Sequence, residues 1–153
     1  MKIATLFTSL LLVGCVVINP TIISTELTPE ESVRQSDIQA YYDLVNVKVY
    51  DGEVNATIQW GVSKDPKKWI GLCTFSSTGR HKIEIDSVYF SHSTTKHSMY
   101  LKGTIIHEVV HARLGVPGHG PGFQTECDRV GKLMGIAPEY IYNKGLYVKD
   151  TTP

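Results

Sequence analysis

An excess of charge of either sign is the first thing this chain lacks. Fifteen lysines and arginines stand against fifteen aspartates and glutamates, so no broad basic field invites nucleic acid, and none is expected as a partner. Cysteine is scarce too. The three that occur, Cys15, Cys73 and Cys127, lie at spacings that suit no cysteine metal site. With Cys15 set aside, Cys73 and Cys127 are an even pair, open to one disulfide in an oxidising compartment. The other reading is two buried free thiols, one in an apolar strand and one on the apolar face of a helix. A long hydrophobic run is also missing: the apolar stretch at residues 3–13 is short for a transmembrane helix.

That stretch reads instead as a targeting segment, with Lys2 as a minimal positive start and an apolar body interrupted only by Thr and Ser. Leu12-Val13-Gly14-Cys15 resembles a bacterial lipobox. The resemblance implies a signal peptide over residues 1–15, a lipid on Cys15, and a mature chain held on the membrane of the cell envelope, facing the periplasm or the exterior. Two plainer readings compete: an ordinary anchor running on through Val16-Val17-Ile18, and a hydrophobic strand of the domain. A misread segment leaves the protein cytoplasmic. Residues 16–27, with Asn19, Pro20, Ser24 and Thr25 and no sustained helical period, are expected to form a tether. One compact domain over residues 28–153, a monomer, is expected to follow.

Most informative is His107-Glu108-Val109-Val110-His111. Residues four apart on a helix share a face, so His107 and His111 can direct two imidazoles at one ion. Glu108 projects about 100° further round, suited to reaching a water on the same metal. Two ligands plus a base is the H-E-x-x-H arrangement of zinc peptidases, and a catalytic site adds a third ligand and an open position. The metzincin spacing asks for Gly at 114 and His at 117; Leu114 and Pro117 occupy those positions. His119 is the preferred third ligand, because Gly115 and Pro117 end the helix and let the chain turn back. Glu126 on the following helix is the alternative, a gluzincin arrangement. The surrounding Leu101, Ile105, Ile106, Val109, Val110 and Leu114 describe a buried helix, where two His and a Glu must be paired or ligated.

Residues 104–123, H-E-x-x-H followed by a short loop and His119-Gly120-Pro121-x-Phe123, resemble the SprT/Spartan-like zinc metalloprotease domain. The resemblance implies Zn2+ held by His107, His111 and His119, with Glu108 as the catalytic base. Gly122 stands where an acidic residue is common in that family. Over the preceding strands the resemblance is only general. The chemistry expected is hydrolysis of a peptide bond in a protein or peptide substrate by zinc-activated water, Glu108 taking its proton and passing it to the leaving amine. Two other functions stay open: a lipid-anchored zinc-binding or scaffold protein without turnover, and a hydrolase of cell-wall stem peptides.

The expected fold is α+β, a small zincin-like domain with an N-terminal helix, a mixed or antiparallel sheet of three to four strands, the H-E-x-x-H helix and a C-terminal helix. Thr28-Pro29-Glu30-Glu31 offers an N-cap, a proline at the first helical position and an early acid. This first helix should end near Val45 or Asn46, with Val33, Ile38, Tyr41, Leu44 and Val45 as its apolar side. Alternation then predicts strands at 47–50, 56–60, 69–75 and 81–86, with turns at Asp51-Gly52 and Ser76–Gly79. By its place in the order, the segment 83–88 is the candidate edge for pairing with extended substrate; a plain sheet edge is the alternative. Phe123, Cys127, Val130 and Met134 predict a helix over 122–135, on which Glu126 and Asp128 can serve as ligand or as acceptors orienting a ligating His. His81, His92 and His97 are expected to be solvated, and Tyr140, Tyr142 and Tyr147 to be packing aromatics.

Overall fold

A computed structural model describes residues 29–61, 70–86 and 95–142. The segments expected to be a targeting signal and a tether, with Cys15, Thr28, His92 and Tyr147, lie outside the described residues, as do the side chains of Val33 and His97. The chain runs α1 (Pro29–Tyr50), β1 (Ala56–Gly61), β2 (Gly71–Thr74), β3 (His81–Asp86), α2 (Thr95–Leu114), α3 (Pro121–Met134) and α4 (Pro138–Ile141). This is the small α+β architecture expected, with a mixed sheet of three strands among the described residues.

The first helix starts at the predicted proline but does not stop at Asn46. It continues through residues 47–50, where alternation had suggested a strand. The reason is tertiary. Val45 and Tyr50 are buried, and Val49 packs against the core, a spacing that one helical face satisfies as well as a strand does. Val47, the other half of the alternation, is exposed, and so is Leu44. The helix ends where Asp51 and Gly52 both take positive φ, 52° and 81°, which halts the α conformation. Asn46 fastens the exit, its side chain accepting from Val54 N–H at 2.9 Å and donating to Val54 O at 3.1 Å.

β3 lies between the other two strands, parallel to β1 with Ile58 opposite Ile83, and antiparallel to β2 with Cys73 opposite Ile83. The expectation that residues 83–88 form the edge is therefore corrected: β3 is central, both its sides are paired, and β2 is an edge among the described residues. Alternation holds over residues 82–85 of β3, where Ile83 and Ile85 are fully buried while Lys82 and Glu84 form an ion pair at 2.9 Å on the opposite face; it fails at the strand's end, where Asp86 is buried as well. Helices α1 and α2 pack on the buried face and on each other. Ile105, Ile106, Val109 and Val110 of α2 are buried to within 1 %, and this helix touches every other element of the core except β1 in quantity. Leu114, at its exposed end, does not join them.

Two glycines set how closely elements approach α2. A Cβ on Gly71 of β2 would fall 2.7 Å from both Glu108 Oε1 and Thr104 Cγ2, and one on Gly103 would fall 2.1 Å from the Tyr140 carbonyl oxygen of α4. Only glycine permits either contact.

Candidate metal centre

Gly115 takes φ 64° and its N–H closes on His111 O at 2.9 Å, ending α2 as predicted. The chain then doubles back through Val116–Gly118 to His119 and enters α3 with Gly120 as N-cap and Pro121 in the first turn. Gln124, one turn into α3, donates its side-chain N–H to the His119 carbonyl at 3.1 Å and holds the turn. The outcome is a triangle of imidazole nitrogens. His107 Nε2 and His119 Nε2 are 3.0 Å apart, His111 and His119 also 3.0 Å, and His107 and His111 3.2 Å.

The far side of two rings decides what the near side can be. His107 Nδ1 lies 3.1 Å from Ile141 O, and His111 Nδ1 lies 2.7 Å from Val116 O. A carbonyl oxygen only accepts, so each Nδ1 carries the proton and each Nε2 presents a lone pair. Two lone pairs facing at 3.2 Å repel unless a cation lies between them. Burial lowers the His107 pKa to about 4, with further depression from His111 and His119, and burial also lowers that of His111. These two imidazoles are therefore neutral donors at neutral pH. A tetrahedral ion with metal–nitrogen bonds of about 2.0–2.1 Å sets its imidazole nitrogens about 3.3 Å apart. The three His form the group of side chains among the described residues that could hold a metal ion, and the donor set fits a borderline-soft divalent cation.

Phe123 is the floor of the triangle. Its buried ring stacks on His111 at 4.2 Å and 29°, and meets His107 and His119 edge-on at 4.9 and 5.0 Å. Its helical spacing with Cys127 and Val130 makes Phe123 a core residue of α3. It also fixes the planes of all three rings.

Glu108 is buried beside His107, 5 % exposed, and burial pushes its carboxyl up to about 8 although the Cys73 backbone N–H donates to it. The ladder explains that contact. Asp86 N–H donates to Ile70 O at 2.9 Å, and alternation along an antiparallel pair then turns the backbone groups of Gly71 and Cys73 away from β3. Glu108 thus meets the side of β2 that faces away from β3, an edge among the described residues.

Several predicted side chains lie elsewhere. Glu126 is not in the triangle; both its oxygens accept from Arg129, at 2.7 and 2.8 Å. Asp128 orients no His and faces the Tyr142 hydroxyl at 3.0 Å. His81 accepts from Ser76 N–H at 3.3 Å and stacks edge-on with Phe75, in the β2–β3 turn. Tyr140 packs edge-on against Tyr100, as expected of a packing aromatic. Cys73 and Cys127 are buried free thiols, both pushed up to about 12 by burial, so of the two readings of this pair the unbridged one holds. What the sequence concealed is the set of carbonyls behind the imidazoles, because a backbone acceptor has no residue-type mark. A faint signal existed in Gly103, one turn before His107 on the same helical stripe.

No curated protein matches the chain. The sequence profile of the SprT-like family does, over residues 38–146. The matched span runs from Ile38 of α1 through the whole of α4, and includes every residue of the histidine triangle. It covers most of the chain. With three imidazoles converging on one point and the H-E-x-x-H helix at the centre of the core, the protein belongs to the SprT-like family, whose domains are metalloprotease-like and zinc-associated.

Proposed function

We propose that this protein is a zinc-dependent metallopeptidase that hydrolyses peptide bonds in a protein or peptide substrate. The observation that carries the reading is the triangle itself: three Nε2 atoms within 3.2 Å of one another, with the Nδ1 atoms of His107 and His111 anchored on carbonyls. His107, His111 and His119 would hold the ion through these nitrogens. Zinc, when bound, supplies a Lewis acid that acidifies water and polarises a carbonyl.

The chain's own residues supply the rest. Glu108, next to His107 on the helix, is the proton carrier, taking a proton at its carboxylate and returning it to the leaving amine. Its carboxyl is buried next to His107, shielded from competing solvent. The outward groups of Gly71 and Cys73 offer an extended substrate main-chain pairing beside Glu108. Cys73 N–H, which the Glu108 carboxylate occupies, becomes available as that side chain turns toward the reaction. The envelope location rests on the lipobox resemblance at Cys15 alone; Cys15→Ser should move the protein from the membrane fraction to the soluble fraction.

Zinc content and cleavage of an unfolded protein substrate test the reading together. The full chain should bind one zinc and cleave, His119→Ala should lose both, and Glu108→Gln should keep zinc and lose turnover. The Gln amide oxygen can still accept from Cys73 N–H, so that variant preserves the packing. Turnover surviving in Glu108→Gln would overturn the assignment of the base. Zinc binding with no cleavage of protein or of muropeptide favours the non-catalytic zinc-binding scaffold, and cleavage of muropeptide alone favours the cell-wall hydrolase.

A further inference from the structure

The short helix α4 touches none of the three Nε2 atoms, yet it supplies the carbonyl behind one of them. Ile141 is 3 % exposed, and its carbonyl oxygen is the partner of His107 Nδ1 at 3.1 Å. What places that carbonyl is a docking arrangement built on two glycines. Gly103, His107 and His111 follow one another at four-residue intervals along one stripe of α2. At Gly103 the absent side chain lets the Tyr140 carbonyl lie where a Cβ would be. The next residue of α4 then meets the next position of the stripe, His107. On the other side, Gly131 of α3 leaves room for Ile141 Cδ1, 2.6 Å from where its Cβ would fall, and for the Ile136 carbonyl at 2.8 Å. The Tyr142 hydroxyl, in hydrogen-bond reach of Gln124 O and of Asp128 Oδ1, ties the end of α4 to α3. Tyr140 packs its ring on Tyr100 of α2 at 4.9 Å.

From this geometry we propose that α4 is a positioning element of the metal site. Seated on Gly103 and Gly131, it holds the Ile141 carbonyl against His107 and so fixes both the tautomer and the plane of that ring. His111 gets the same service from Val116, in the loop that follows its own helix, and is independent of α4. The inference rests on the triangle being a metal site, and a carbonyl that orients a ligating imidazole through its other nitrogen is a recognised contributor to metal affinity.

The test uses the full chain and two variants, Gly103→Ala, which pushes a methyl group into the Tyr140 carbonyl, and Tyr142→Phe, which removes only the hydroxyl tie. Zinc affinity is read by chelator competition, and the state of each imidazole by nitrogen-15 NMR of the histidine side chains, with and without zinc. Gly103→Ala should weaken zinc roughly 10- to 100-fold, and Tyr142→Phe several-fold, while the thermal midpoint of the metal-free Tyr142→Phe protein stays within a few degrees of the parent. In both, the His107 ring signals should change and those of His111 should not. If Gly103→Ala fails to fold, Tyr142→Phe decides. Parent-like zinc affinity and His107 signals in the folded variants would overturn the role of α4 alone. A parent chain that binds no zinc overturns the metal reading, and this one with it.

Discussion

Why an exposed histidine joins the triangle while a nearby carboxylate does not is decided by what each side chain already holds. Glu126 has both oxygens on the Arg129 guanidinium, with the Tyr50 hydroxyl facing it, and the Arg129 hydrogen bonds hold its carboxyl below the ordinary carboxylate range. Arg129 and Arg113 each lie over the Tyr50 ring, at 5.6 and 5.7 Å, so Glu126 closes a cluster that joins α1, α2 and α3. A group whose folded pKa is depressed contributes stability that is present above its unfolded pKa and lost as pH falls through the folded one. Glu126→Gln should therefore lower stability at pH 7 by about 0.5–1 kcal/mol, the scale of a partly exposed ion pair screened by solvent. The difference should close as pH is taken below the ordinary carboxylate range. Thermal melts of the two proteins from pH 7 to 3 measure it, and zinc stoichiometry in Glu126→Gln should stay at one. Loss of zinc in that variant would restore the gluzincin arrangement. His107, Glu108, His111 and His119 were legible because spacing on one helix and one turn brings them together locally. The Ile141 carbonyl comes from 34 positions away, and no local pattern reports it.

At the scale of elements, the order of strands was the least legible feature. Each of the three strands was predicted within a residue or two, but hydrophobic alternation is blind to neighbours: His81–Asp86 reads the same at an edge or in the centre. Its central place comes from pairing with β1 and β2 at once, a long-range outcome. The same blindness let Val47, Val49 and Tyr50 pass for a strand when they finish a helix. Gly71 was the better clue, since a glycine inside a strand marks a close approach, and here the approach is to Glu108 and Thr104 of α2. This contact argues for an effect of β2 on the base without any effect on the ion. Gly71→Ala forces Glu108 Oε1 and Thr104 Cγ2 to move, at an overpacking cost of about 1–3 kcal/mol. Turnover should fall at least about tenfold, the rate equivalent of 1.4 kcal/mol, with zinc content unchanged at one per chain. Undiminished turnover in a folded Gly71→Ala protein would mean that the β2–α2 spacing does not set the base.

For the molecule as a whole, the site and the core are built on the same helix but do not depend on each other equally. The core proper, Ile38 and Val45 of α1, Ile58, Ile83 and Ile85 of the sheet, and Ile105, Ile106, Val109 and Val110 of α2, is apolar and buried with no reference to the ion. The triangle instead ties the exposed residues 115–120 to α2, and through Ile141 engages α4. A ligand that binds only the folded state stabilises it by mass action, about 4 kcal/mol when free ligand is a thousandfold above Kd. For a domain of this size that is on the order of 10 °C in thermal midpoint. Chelation of the zinc-loaded protein should lower the midpoint by that amount, and the loosening should be local. In hydrogen exchange, the amides of Gly115, Val116 and Gly118 to Gly120 and those of Glu139 to Ile141 should lose protection on chelation, because the ion closes the loop that carries His119 and draws His107 onto α4. Those of β1, β3 and the first half of α2 should change little, since apolar burial holds them in either state. Equal deprotection across the sheet would mean that the ion holds the whole fold together, the behaviour of a structural zinc domain, and would move the balance toward the scaffold function and away from a peptidase.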